Sequence, residues 1–196
     1  MKLTEKKLIL ATHNQGKIKE FEALLAPYGI EIASAQGYPE PVEDGGTFAQ
    51  NALIKARALA KASGLPALAD DSGLCVHALN DRPGIYSARY NDPKKNGFAY
   101  AMKCLNDELS DAKDRTAHYT CALALVKPDG REEVFEGRID GTLVYPVQEG
   151  THGFGYDPMF VPDGYEESFA QLPDELKNGI SHRARAIALF VKECLS

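Results

Sequence analysis

The sequence has no apolar stretch of membrane-spanning length, which excludes a hydrophobic transmembrane helix. Residues 1–10 carry only a short apolar run and no pattern for signal cleavage. The four cysteines (Cys75, Cys104, Cys121 and Cys194) are widely spaced and form no CxxC pair, so neither a zinc site nor a disulfide scaffold is indicated. We therefore expect a cytosolic protein whose cysteines are buried free thiols.

Positive charge is also scarce. The chain has 22 Lys and Arg against 28 Asp and Glu, a formal net charge of −6, and no Lys- or Arg-rich stretch beyond the short turn with Asp92, Lys94 and Lys95. Proteins that bind nucleic-acid polymers normally present a basic face, so we expect no such partner. A polyphosphate substrate fits this balance only if a few cations and a metal are concentrated at one site.

The remaining composition is that of an ordinary soluble protein, with 44% apolar and 26% charged residues. Its 196 residues predict a single domain over 1–196. Strands alternate with helices early in the chain and a hairpin follows around 128–130, which favours an α/β fold with a mixed sheet. The predicted strands are 6–11, 30–33, 66–69, 74–78, 117–126 and 133–139. The predicted helices are 17–25, 47–63 with Thr47 as its cap and Gly64 at its end, 98–109, and a last one that Ser181 caps and whose Ala188 faces inward. A loop-rich stretch is predicted before this last helix.

A polar turn follows the first predicted strand, with the sequence Thr12, His13, Asn14, Gln15, Gly16 and Lys17. A turn between a strand and a helix offers N–H groups and the positive end of the helix dipole to an anion, and Lys17 adds a point charge. The segment is not a P-loop, because Ile18 follows Lys17 and the first glycine of that pattern is missing. Taken alone, the segment slightly favours an ordinary polar turn.

Two adjacent acids, Asp70 and Asp71, follow an apolar stretch and precede Ser72 and Gly73. Two carboxylates beside a buried strand are costly unless a cation neutralises them. Mg²⁺ takes one or two carboxylates together with phosphates and water. Glu43 and Asp44 belong to the same set of acids, but taken alone they indicate a surface loop. The alternative is a solvated turn over 70–73 in which Asp70 acts as a cap.

Two later segments combine features of a nucleotide site. Residues 153–158 read GFGYDP, where glycines let the backbone approach a flat ligand and an aromatic ring stacks on it. His182 and Arg183 occupy the first turn of the last predicted helix, where the dipole disfavours cations. A bound anion or keto oxygen would remove that conflict. The alternatives are an aromatic core plug and a solvated surface.

Together these segments resemble the inosine triphosphate pyrophosphatase family, the enzymes that hydrolyse non-standard purine nucleoside triphosphates. The resemblance runs from residue 8 to about residue 190. It rests on six stretches in coherent order: LATHNQGK (10–17), EDGGTFAQNALIKA (43–56), LADDSGLCV (68–76), RPGIYSARY (82–90), GFGYDPMF (153–160) and KNGISHRARA (177–186).

The resemblance implies an elongated α/β fold with a mixed central sheet, two lobes around an active-site cleft, and a homodimer. It implies that ITP, dITP and XTP are hydrolysed to the monophosphate and pyrophosphate, with Asp71 as the proton acceptor for water and Mg²⁺ on Glu43 and Asp71. The implied substrate-binding residues are Thr12, His13, Asn14, Gln15, Gly16, Lys17, Ser72, Phe154, Gly155, Tyr156, Asp157, Lys177, His182 and Arg183.

Two positions depart from the family pattern. Gln50 stands where many members have Glu, which puts a carboxylate role there in doubt, and His13 replaces a residue that is frequently small. Two other functions stay open: a house-cleaning pyrophosphatase for other modified nucleotides, and a nucleotide-binding module without catalysis. The GFGYDP and SHR stretches point away from the first, and the acids with Lys17 count against the second. A Nudix hydrolase is disfavoured because its acidic box is missing.

Overall fold

The computed structural model describes residues 1–195, and their strands form one mixed seven-stranded sheet. The predicted α/β class is therefore confirmed. The strands are β1 Lys7–Leu10, β2 Glu31–Ser34, β3 Ala67–Val76, β4 Arg82–Pro83, β5 Thr116–Val126, β6 Glu132–Leu143 and β7 Phe160–Pro162.

The sheet has the strand order β2-β1-β3-β5-β6-β7, with β4 paired to β3. β1 lies parallel to both β2 and β3, whereas β4 is antiparallel to β3 and β7 is antiparallel to β6. The parallel part comes from the early strand–helix alternation, since parallel neighbours need a crossover. The predicted hairpin joins β5 to β6, with Gly130 N–H donating to the Lys127 carbonyl in its turn.

Helices fill the connections, and their ends carry the capping residues that the sequence suggests. The α-helices within residues 1–195 are α1 Gln15–Leu25, α2 Phe48–Ser63, α3 Pro93–Asn96, α4 Phe98–Leu109, α5 Asp174–Ile180 and α6 His182–Phe190. The Thr47 side chain accepts from Gln50 N–H at the start of α2, and Gly64 ends that helix with a φ of 69°. Glycine adopts this left-handed backbone without the cost that a Cβ brings.

The main error of the sequence interpretation concerns residues 70–73. They were predicted as a turn between two short strands, but β3 runs unbroken from Ala67 to Val76. Ser72 and Gly73 suggested a solvated turn, whereas the cost of two adjacent carboxylates beside a buried strand indicated a neutralising cation. Here cationic side chains from other segments neutralise that charge, so the strand continues. The solvated-turn alternative is wrong.

Two smaller differences lie near the C-terminal part of the chain. β7 and α5 fall within a stretch that was predicted to be rich in loops. Ala188 was predicted to face inward but is exposed, because the buried stripe of α6 runs through Ala186, Ile187 and Phe190. All four cysteines are free, as predicted; three are buried and Cys104 is half-buried. Burial raises the pKa of the Cys121 thiol to about 12.

The chain divides into two compact units. Unit 1 comprises residues 1–71, 121–137 and those from 181 onward, and unit 2 comprises 72–120 and 138–180. Unit 1 holds two apolar clusters, one around Phe21 and Phe190 and one of alanines from α2 and the sheet. Unit 2 has its own cluster around Met159 and Phe160.

The prediction of a single domain over 1–196 stays a prediction, and residue 196 lies outside the described residues. Among residues 1–195, no helix combines the length and the apolar character needed to span a membrane.

Candidate active site

The polar turn and the start of α1 lie in unit 1. Asn14 caps the helix: its side chain accepts from the N–H groups of Gly16 (2.9 Å) and Lys17 (3.2 Å). Thr12 in turn accepts from Asn14 N–H through its hydroxyl, at 3.2 Å. The helix thus begins at Gln15, inside the predicted turn, and two of the N–H groups expected to meet an anion are already bound by Asn14.

Lys17 points its ammonium group at Asp70, which lies across from it on β3. The Lys17 Nζ to Asp70 Oδ2 distance is 3.0 Å, and the Asp70 side chain has no exposed surface. Arg183 donates to the same Asp70 oxygen at 3.0 Å and also pairs with Glu20 of α1. Burial alone would raise the pKa of Asp70, but Lys17, Arg183 and Lys55 hold this pKa well below its usual range.

Asp71, the next residue of β3, has different partners. The Asn51 amide donates to Asp71 Oδ2 at 3.0 Å, and Lys55 Nζ lies 3.6 Å from Asp71 Oδ1. The same ammonium group lies 3.2 Å from Glu43 Oε1. Burial raises the pKa of Asp71, against the opposing effects of Lys55 and Asn51. The pKa values of these two neighbouring carboxyl groups are therefore shifted in opposite directions.

The surroundings of Asp71 fit a divalent cation. Glu43 and Asp71 converge on one lysine, so this part of unit 1 is arranged to hold positive charge. Carboxylate oxygens are the ligands that Mg²⁺ prefers, and one or two of them per ion is the usual number. Thr12 and His13 line a pocket together with Lys55, which brings the polar turn to the same place. His13 itself is exposed and pairs with Glu40 at 2.8 Å.

His182 and Arg183 open α6, where the Ser181 hydroxyl accepts from Ala184 N–H at 3.1 Å as predicted. Both side chains are buried, so the solvated-surface alternative is wrong. The conflict between Arg183 and the helix dipole is resolved by protein carboxylates, those of Asp70 and Glu20. Contact of His182 or Arg183 with a purine stays a prediction.

The GFGYDP segment and Lys177 form a second group, within unit 2. Asp157 Oδ2 accepts from Phe154 N–H at 2.7 Å and from Lys177 Nζ at 2.7 Å. Both Asp157 and Lys177 are almost fully buried, and the Lys177 ammonium group lies 4.9 Å from the centre of the Phe154 ring. Asp157 therefore stabilises the turn. The Lys177 ammonium group makes a cation–π contact with the half-buried Phe154 ring.

The other predicted ligands of this segment differ in exposure. Tyr156 is buried, packs edge-on against Phe98, and donates from its hydroxyl to the Ser87 carbonyl at 3.0 Å. The core-plug alternative is thus correct for Tyr156. Gly155 has a φ of 70°, and Ser72 is a half-buried residue of β3. Their contacts with a nucleotide stay predictions.

Comparisons with known proteins place the chain in a family. The Ham1 family model matches residues 8–193. This chain belongs to the Ham1 family. It is 50% identical over 191 residues to the dITP/XTP pyrophosphatase of Gluconobacter oxydans, covering 96% of this chain and 91% of that protein. With the dITP/XTP pyrophosphatase of Zymomonas mobilis it shares 51% identity over 195 residues, 96% and 92% of the two chains.

A solved Ham1 structure supports the same assignment. The HAM1 protein from Coxiella burnetii superposes with a TM-score of 0.86 at 36% identity, covering 96% of this chain and 98% of that one. The resemblance inferred from the sequence stretches is therefore confirmed, as is the α/β fold with a mixed sheet.

Within this Ham1 chain, sequence reasoning missed three residues that organise the acids: Glu20, Asn51 and Lys55. Spacing offered a signal for them. Asn51 and Lys55 are four residues apart on α2, so they share a helix face, and Glu20 follows Lys17 by one turn of α1. Gln50, in contrast, accepts from Gly46 N–H at 2.8 Å, a role that its amide fills without a carboxylate.

The buried pair of Asp157 and Lys177 leads to a stability prediction. Asp157→Asn should lower the free energy of unfolding by about 3 kcal/mol, because it leaves the Lys177 charge buried without its counter-ion. Urea denaturation measures this, with exposed Asp163→Asn as the control. Adding Lys177→Met to Asp157→Asn should restore part of the loss, since it removes the stranded charge. A loss below about 0.5 kcal/mol, the range of ordinary surface substitutions, would contradict the role of this pair.

Proposed function

We propose that this chain hydrolyses the non-standard purine nucleoside triphosphates dITP, ITP and XTP to the monophosphate and pyrophosphate. It is an enzyme that cleaves an anhydride bond of a nucleoside triphosphate and thereby cleanses the nucleotide pool. Sequence similarity over nearly the full length to proteins named dITP/XTP pyrophosphatase supports this function. The structural observation that carries it is the acid pair on β3, in which Asp70 holds Lys17 while Asp71 lies beside Glu43 and Lys55.

In this proposal, the first turn of α1 binds the phosphates. A triphosphate brings about four negative charges to a protein that is already acidic, so cations must meet it. Lys17 and Lys55 supply two, and Thr12 and Asn14 add polar contacts. A divalent cation is consistent with the family, and we propose Mg²⁺ on Glu43 and Asp71. When bound, Mg²⁺ neutralises phosphate charge and polarises the phosphoryl oxygens.

Asp71 is the proton acceptor in this scheme. Its raised pKa suits a group that takes a proton, whereas the lowered pKa of Asp70 does not. Water attacks the α-phosphorus as Asp71 takes its proton; the bond from the α-phosphorus to the bridging oxygen breaks, and pyrophosphate leaves with that oxygen. Lys17 lies where it stabilises the charge of the leaving group. Asp70 positions Lys17 and Arg183 without contacting the reacting atoms.

The direct test is the product. With dITP and Mg²⁺ we expect pyrophosphate and dIMP in equal amounts, with no turnover when EDTA removes the metal. Free phosphate as the first product would contradict attack at the α-phosphorus. Tight dITP binding without turnover would indicate instead a nucleotide-binding module without catalysis.

Lys17→Ala should raise KM and lower kcat together. The same ammonium group meets the bound triphosphate and the departing pyrophosphate, so both binding and the transition state lose its charge. Lys19→Ala is the matched control, because Lys19 is an exposed residue of the same helix. Steady-state kinetics with dITP gives both parameters. If Lys17→Ala matched Lys19→Ala in both, the polar turn would have no part in phosphate binding.

Three further properties belong to this proposal. The family resemblance supports a homodimer. A monomeric mass measured by light scattering in solution would contradict this. The formal charge of −6 supports a small nucleotide, not a nucleic-acid polymer, as the ligand. Because its proposed substrates belong to the nucleotide pool, we propose that the enzyme is cytoplasmic. We propose no membrane partner, and no helix among residues 1–195 could span a membrane.

A further inference from the structure

A cluster of metal-ligand type lies within unit 2, among residues to which the nucleotide reaction assigns no role. His77 follows β3 in a short 3₁₀ turn, His118 lies on β5 and Asp140 lies on β6. One ligand atom from each of these residues lies within 4.8 Å of the other two. His77 Nε2 and His118 Nδ1 are only 2.9 Å apart.

The hairpin fixes two of the three side chains. At one end Lys127 N–H donates to the Arg131 carbonyl, and at the other Leu143 N–H donates to the Arg115 carbonyl. Both bonds follow the same register, which puts His118 directly opposite Asp140. Residues opposite each other on paired strands have Cβ atoms about 5 Å apart. His77 joins them because β3 is the neighbour of β5 in the sheet.

The hydrogen bonds of His77 indicate which of its two ring nitrogens is unprotonated and faces the cluster. The Thr116 hydroxyl donates to Asp114 Oδ1 at 2.6 Å, so it accepts from His77 Nδ1–H at 2.8 Å. His77 Nε2 therefore carries the lone pair, and His118 Nδ1 supplies the proton between the two rings. A metal-binding histidine is usually oriented by a hydrogen bond from its outer nitrogen, and here the Thr116 hydroxyl, which Asp114 holds, accepts that bond from His77.

We propose that His77, His118 and Asp140 bind one transition-metal ion of the Zn²⁺ class. The ion takes the place of the proton between the two imidazoles, and His118 stays a neutral imidazole because its ring proton moves from Nδ1 to Nε2. Nitrogens bound to a tetrahedral Zn²⁺ at about 2.0–2.1 Å lie about 3.3 Å apart, close to the present separation. Asp140 completes the set by leaving Arg138, and both partners of that ion pair are about half exposed, so little stability is lost.

The ligands also select the ion. Two imidazoles and one carboxylate suit Zn²⁺, whereas Mg²⁺ prefers a set of oxygens such as Glu43 and Asp71. An excess of Mg²⁺ should therefore fill the acidic site and leave the histidine site to zinc. A bound ion would link the end of β3 to the β5–β6 hairpin and so stabilise unit 2.

Equilibrium dialysis of the metal-free full chain against Zn²⁺, with excess Mg²⁺ throughout, tests this site. We expect one zinc per chain in the wild type and in His152→Gln, a matched control because His152 is also paired with a carboxylate, that of Asp174. His77→Gln and Asp140→Asn should each weaken zinc binding by more than about tenfold, the lower end of what even an outer-shell contact contributes. Asp140 is exposed, so Asp140→Asn keeps the fold and the test stays decisive.

Three results would overturn the proposal. They are no zinc uptake by the wild type, unchanged zinc affinity in His77→Gln, and loss of zinc binding in Cys104→Ser, which would place the ion at the one half-buried thiol. An anomalous-scattering map of zinc-soaked crystals locates the ion independently of activity.

Discussion

Asp71→Asn is expected to lower kcat by about 10²–10⁴-fold, the usual contribution of a general base, while the protein stays folded. The substitution removes the proton acceptor and one carboxylate of the proposed Mg²⁺ site but preserves the shape of the side chain. Because burial raises the pKa of Asp71, the charged form is not favoured by its surroundings, and a neutral amide costs the fold little. Lys55 keeps Glu43 as a partner in the variant.

Asp70→Asn should show the opposite pattern. The charged form of Asp70 is held by Lys17 and Arg183, so a neutral amide leaves half-buried Lys17 and buried Arg183 short of a counter-ion. The expected loss in the free energy of unfolding is about 3–5 kcal/mol, the cost of breaking a buried ion pair by removing one partner. The kcat of the folded Asp70→Asn enzyme should fall less than the kcat of Asp71→Asn.

Kinetics and urea denaturation on the two variants separate the roles. An Asp71→Asn enzyme with near wild-type kcat would remove Asp71 from the mechanism. An Asp70→Asn enzyme as stable as the wild type would show that Asp70 does not position the two cations.

Local signals explain which parts of the fold the sequence predicts. The caps Thr47 and Gly64 of α2 and Ser181 of α6 were found because a cap and the helix end it stabilises are neighbours in the chain. The start of α1 was placed two residues late because Gly16 suggested a turn, whereas the Asn14 cap already begins the helix at Gln15.

Long-range pairing explains most of what the sequence does not predict. The strand through Asp70 and Asp71 was interpreted as a turn because its neutralising partner Arg183 lies 113 residues further along the chain. Likewise, the sequence marks Asp157 and Lys177 as candidate ligands, but only the structure shows that they pair with each other. The buried state of Tyr156 depends on Phe98 and Ser87 in the same way.

Base selection is the second large effect. Hypoxanthine and xanthine carry an O6 acceptor, which a donor at the start of α6 is predicted to meet, whereas adenine carries an amino donor there. Two facing donors leave a buried group unpaired, and a site built to pair discriminates by about 10⁴-fold. Guanine keeps O6, so it should be rejected less strongly, through its 2-amino group.

The structure changes the choice of variant for this prediction. Arg183 is bound to Glu20 and Asp70, so Arg183→Ala mixes any loss of recognition with the loss of a buried ion pair. His182→Ala is the cleaner probe of base reading, and His182→Gln, which retains a donor, is its matched control. If His182 reads O6, the preference for ITP over ATP should narrow in His182→Ala and stay wide in His182→Gln.

The kcat/KM values for ITP, XTP, GTP and ATP, measured side by side on the wild-type enzyme with Mg²⁺, test the central claim most directly. We predict ITP and XTP above ATP by about 10⁴-fold, the discrimination expected of a site built to pair with O6, with GTP in between. Equal kcat/KM for ATP and ITP would contradict a role in removing non-standard purines, even if the product were pyrophosphate.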